Sequence, residues 1–141
     1  MSLAIKISLL ASGLFLLSGM LIGILKYQRT MTSPEHRAPV YVDIAHRAAF
    51  LYSFAMLVVA KLLEYSPYST KIQVGAVMMV LVFLVLTVFG YLAEGIKNVT
   101  DNLFRERNFK TTWYMYLLIA GEVGGLLIIL WGFIQTQIIG S

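Results

Sequence analysis

Four apolar stretches, each long enough to cross a bilayer, predict an all-α integral membrane protein, an antiparallel bundle of four transmembrane helices in one domain covering residues 1–141. The composition agrees. Hydrophobic residues make up 59% of the chain and charged residues 13%, with a mean hydropathy of +0.80. A soluble domain carries about a quarter charged residues, so this chain has too few to cover a surface in water. The net charge of +4 does not point to nucleic acid, because the lysines and arginines lie beside the apolar runs, as topology signals do. There is no cysteine, which excludes disulfides and thiolate ligation of a metal.

The first helix is expected over about residues 3–25, "LAIKISLLASGLFLLSGMLIGIL". It is long enough to span and lacks a small-x-small cleavage site before the next polar stretch, so it reads as a retained helix rather than a signal peptide. Pro34 and Pro39 then break the chain before a second helix over about 42–65. The link "SPYSTK" is so short that the third helix, about 72–96, must pair with the second as a hairpin. The basic link "KNVTDNLFRERNFKT" follows, able to extend the third helix, and the fourth helix is expected over about 112–135.

Lys26, Arg29, Arg37, Lys97, Arg105, Arg107 and Lys110 fall in or beside the first and third links, with Arg47 close by. Lys6, Lys61 and Lys71 lie at the other ends of the helices. The positive-inside rule therefore expects both long links in the cytoplasm and both termini outside, in a bacterial inner membrane. Ser8, Ser12, Gly19 and Gly23 on the first helix, and Gly121, Gly124, Gly125 and Gly132 on the fourth, are small-residue faces. Helices in lipid gain by close backbone approach, so these faces suit packing within the bundle or self-association. Trp113, Tyr114, Tyr116, Tyr65 and Tyr68 read as interfacial anchors.

Depth decides which polar residues need an explanation. Glu122 stands about ten residues into the fourth helix, about 15 Å along its axis, and no adjacent side chain can pair with it. It is either a neutral structural carboxyl or a functional one. On the third helix, Thr87, Tyr91, Glu94, Asn98, Asp101 and Asn102 follow steps of three and four, which put them on one face. On the second helix, Asp43, His46, Phe50 and Ser53 do the same, with Arg47 beside them. Topology brings the start of helix two and the end of helix three to the same side. An Arg47–Glu94 or His46–Glu94 pair is therefore feasible. Three roles are open for His46: an ion-paired cap for its helix, an axial ligand to haem, or proton transfer near neutral pH.

This arrangement resembles the small four-helix membrane isomerases of the styrene oxide isomerase and hydroxylaminobenzene mutase type. The resemblance is carried by "GLFLLSGMLIG" in the first helix, "DIAHRAAFLY" in the second and "YLAEGIKNVTDN" at the end of the third. It implies an oligomer in which His46 holds haem b, with the iron acting as a Lewis acid on an epoxide, and Tyr91 or Asn98 in contact with substrate. Arg47, directly after His46, would then need a haem propionate or Glu94 to offset its charge.

Three function classes follow. The first is a membrane-embedded site of His46, Arg47, Tyr91 and Glu94, haem-bound and acting on a small hydrophobic substrate. The second is a non-catalytic accessory subunit docked in a larger membrane complex. The third is an oligomeric proton-coupled transporter, for which Glu122 is the feature in favour.

Overall fold

The computed structural model describes residues 1–140, which form an all-α bundle of four helices. They are α1 (Leu3–Thr32), α2 (Val40–Leu63), α3 (Thr70–Lys97) and α4 (Trp113–Ile134), the last continued by one π-helical stretch, Gln135–Ile139. Each is long and apolar enough to cross a membrane. Large side chains such as Leu10, Leu51 and Leu127 are more than half exposed, the outer surface expected of a protein whose solvent is lipid.

The helix ends follow from local chemistry. Ser2 caps α1, its hydroxyl accepting from the Ile5 N–H. Pro39 fixes the backbone just before α2, and Asp43 lies in the first turn of that helix, where the helix dipole favours an anion. Asn98 ends α3 in the left-handed region (φ 50°), its N–H returning to the Glu94 carbonyl at 2.9 Å. Asparagine tolerates that conformation and makes the stop.

Two sequence expectations change here. Helix α1 runs on to Thr32, about two turns past the expected end, because nothing before Pro34 breaks it. Helix α3 stops at Lys97 instead of continuing into the basic link, and residues 98–112 form turns. The polar face is therefore cut at Asn98, and Asp101 and Asn102 do not share it.

Helices α2 and α3 form the centre, with α1 packed mainly on α2 and α4 mainly on α3; α1 and α4 do not touch. Both small-residue faces are used inside the chain. Gly19 lies against the Phe50 ring, and the Ser12 hydroxyl donates to the Ser53 carbonyl at 2.8 Å. On the other side, Gly121 lies against Phe83, and Gly125 against the Ala76 carbonyl and Val80. Among the glycines, the closest approach to another helix's backbone joins the two central helices. A methyl group on Gly95 would stand 2.5 Å from the Val42 nitrogen and 2.9 Å from the Tyr41 carbonyl carbon.

The far end is tied by polar contacts. Ser2 donates to Gln73 at 3.0 Å, Gln73 donates to the Tyr68 carbonyl at 2.9 Å, and the Tyr68 hydroxyl donates to Gln135 at 3.0 Å. Tyr68 thus links the short hairpin to the end of α4.

Gly95→Ala is expected to lower stability by about 2 kcal/mol or more, because backbone rather than a flexible side chain must give way. Gly13 has nothing within 4 Å of the same position. Gly13→Ala should therefore leave the melting temperature in detergent unchanged or raise it slightly, as alanine favours the helix. Equal destabilisation by the two would contradict this packing.

Candidate functional site

The residues expected to form one cluster divide between two faces of α2. At 100° per residue, Tyr41 and Tyr52 lie within about 20° of each other around the helix, whereas His46 lies about 140° from Tyr41. One face meets α1. The other meets α3 and a cleft beside α4, with Tyr52 at the margin between them, where its ring also meets Phe15 of α1 edge-on at 5.9 Å.

On the α1 face, His46 docks into a notch made by two glycines. Its Nδ1 is 2.9 Å from the Gly19 carbonyl oxygen, and its ring meets Phe50 edge-on with centroids 5.0 Å apart. A methyl group on Gly23 would stand 2.9 Å from Cε1, 3.3 Å from Nδ1 and 3.8 Å from Nε2. Only glycine there lets the imidazole lie against α1. A carbonyl oxygen only accepts, so Nδ1 carries the proton in this bond. In the neutral ring Nε2 then keeps its lone pair. A backbone carbonyl that fixes the tautomer in this way is the usual second partner of a metal-ligating histidine.

One turn toward the α2 N-terminus, Asp43 takes two cations. Lys26 Nζ from α1 is 2.5 Å from one carboxylate oxygen, and Arg47 is 2.9 Å from the other. Arg47 thus pairs with its own helix at i−4 and does not reach Glu94. Glu94 pairs instead with Lys97 at 3.4 Å. Neither the Arg47–Glu94 nor the His46–Glu94 pair forms, because each partner has a nearer one on its own or the adjacent helix.

On the opposite face, Tyr41 stacks on Tyr91 with centroids 5.6 Å apart and planes at 21°. Beside this stack opens a cleft of about 690 Å³ between the end of α3, the start of α4 and the link that joins them. Its wall includes Tyr52, Thr87, Tyr91, Glu94 and Tyr114, with Leu86, Met115 and Leu118 among the apolar groups. The link is pinned over it by the Leu103 N–H, which donates to the Tyr41 hydroxyl at 2.6 Å.

Glu122 lies one helical turn past Leu118, the deepest α4 residue of the cleft wall, and is not itself part of that wall. It is within electrostatic range of Tyr52, Tyr91 and Tyr114. Its Oε1 is buried without a hydrogen-bond partner, and so is Thr87 Oγ1. Sequence reasoning picked out Tyr91, Glu94 and Glu122 but missed Tyr52 and Tyr114 as their companions. The signal was there: Tyr114 and Glu122 are eight residues apart, two turns along one face of α4. Asn98, by contrast, serves as the stop of α3 and does not line this cleft.

Among the described residues, no group of three or more histidine, cysteine, aspartate or glutamate side chains could hold a metal ion. Any metal centre on this chain must bring most of its own ligands. Comparisons with protein families, with curated proteins and with solved structures give no match.

Tyr41→Phe keeps the ring stack and removes only the bond to Leu103. A net hydrogen bond contributes about 1 kcal/mol, so amide hydrogen exchange across residues 98–112 should quicken about fivefold while α2 and α3 stay protected. Unchanged exchange in the link would show that Tyr41 does not hold it.

Proposed function

We propose that this chain is an isomerase-like membrane protein that holds haem b through His46 and acts on a small hydrophobic substrate drawn from the bilayer. The observation that carries this reading is the Nδ1–Gly19 bond, which leaves Nε2 as the imidazole's free donor. Haem suits a chain whose candidate is one histidine, because the porphyrin supplies four of the iron's ligands itself. When bound, the group supplies a Lewis-acidic iron to an oxygen-bearing substrate such as an epoxide.

The chain's own residues orient and balance the group. Gly19 and Gly23 fix the imidazole, while the largely exposed guanidinium of Arg47 is the cation available to a propionate. The resemblance to styrene oxide isomerase and hydroxylaminobenzene mutase supports the same assignment. In this reading a second copy of the chain covers the group, and Tyr91, on the other side of α2, meets it only from a neighbouring copy. Membrane placement follows the basic residues, with the links after α1 and α3 on the cytoplasmic side of a bacterial inner membrane.

The test is the visible absorption of the full chain, purified in mild detergent from haem-replete cells. A Soret band is expected, lost in His46→Ala and retained when His36, the other histidine of the chain, in the link after α1, is changed to alanine. A colourless wild-type preparation, or a band that survives His46→Ala, contradicts the haem assignment. Stoichiometric copurification of unrelated membrane subunits with a colourless chain would favour an accessory role.

A further inference from the structure

We infer that the cleft between α3, α4 and their link binds the anion of a medium-chain fatty acid, with the carboxylate at Lys110 and the chain running inward along α3 and α4. The inference rests on the residues of the cleft and does not depend on haem binding at His46.

The polar groups left free along this wall are donors. Lys110 lines the cleft, and among the described residues no carboxylate lies within ion-pair distance of it. Tyr91 and Tyr114 line it too, and their hydroxyls bond to no other described group, whereas those of Tyr41 and Tyr68 do. Neither oxygen is sealed off, in contrast to Thr87 Oγ1 and Glu122 Oε1. The acceptors of the wall are already engaged. Glu94 pairs with Lys97 at 3.4 Å, and Asn108 Oδ1 accepts from the Thr111 N–H at 3.0 Å. A carboxylate accepts without donating, so it answers a wall whose free groups donate.

Charge and shape select the same ligand. With Glu94 offset by Lys97, Lys110 leaves the mouth of the cleft with a positive charge to spare. Lys110 also stands just before α4, whose N-terminus no side chain caps, and the helix dipole there favours an anion. Farther in, Leu86, Met115 and Leu118 make the wall apolar. From Leu86 to Glu94 is about 12 Å along α3, the reach of a chain of about ten carbons. The volume of about 690 Å³ falls within the usual range for small-molecule pockets. A chain already dissolved in lipid gains little by moving to an apolar wall, so the headgroup must supply the preference.

The experiment is equilibrium dialysis of radiolabelled decanoate and decylamine against the full chain in discs of zwitterionic lipid, at a mildly alkaline pH where the acid is ionised. Empty discs supply the blank. Decanoate is expected to bind saturably above the blank, and decylamine is not. Lys110→Gln should weaken decanoate about fivefold, the effect of losing one exposed charge pair. Arg107→Gln removes the same charge from the same link outside the cleft wall, and should change binding less than twofold. Leu118→Trp fills the cleft and leaves both cations in place, so it should abolish binding while keeping the wild-type helical content. If Leu118→Trp does not fold, the two exposed link variants decide the matter by themselves. No saturable decanoate binding, equal binding of decylamine, equal losses in Lys110→Gln and Arg107→Gln, or binding unchanged in Lys110→Gln or in folded Leu118→Trp would each overturn the proposal.

Discussion

Between Gly95 and the backbone of Val42 there is no room for a methyl group, and that close approach sets the position of everything else. Helices already in lipid gain nothing more by leaving water, so contact between backbones must supply the attraction. Gly95 brings α2 and α3 together at the end where both long links lie. With that pair fixed, Tyr41 stacks on Tyr91 and its hydroxyl holds Leu103, so the link after α3 is drawn over the cleft. Helix α1 then closes on the other face of α2 through Gly19 and Gly23, and α4 closes on α3 through Gly121 and Gly125.

The consequence is that α2 presents different chemistry on its two sides. Toward α1 it offers a histidine oriented by a backbone carbonyl and flanked by the Lys26–Asp43–Arg47 triplet. Toward α3 it offers Tyr41, stacked on Tyr91, and Tyr52 reaches the cleft beside α4 while its ring also touches Phe15 of α1.

The spans and the breaks between them were legible in the sequence. Hydropathy marks the former, and Pro34, Pro39 and the short "SPYSTK" link mark the latter. The isolation of Glu122 was legible too, because its neighbours on α4 are glycines and apolar residues. The pairing of the charges was misread, although local spacing contained it. Asp43 and Arg47 are four residues apart, Glu94 and Lys97 three, and such neighbours on one helix compete with any partner across the bundle. The partner of His46 had no sequence signature, since every residue of a helix carries a carbonyl and only packing decides which one is reached. The role of Gln73 was invisible for a similar reason: its partners, Ser2 and the Tyr68 carbonyl, meet it only once three segments converge.

The account depends most on the state of the imidazole at the α1 seam. Nitrogen NMR of the chain labelled at histidine, in lipid bilayers and on a His36→Ala background, reads that state without reference to any cofactor or substrate. With iron absent and the sample held at a pH where the imidazole is neutral, the account predicts Nδ1 protonated and hydrogen-bonded and Nε2 bare. Gly23→Ala should disturb that pattern by pushing the ring off α1. A ring protonated at Nε2, or one exchanging freely between tautomers, would contradict the claim that Gly19 orients His46 as a ligand.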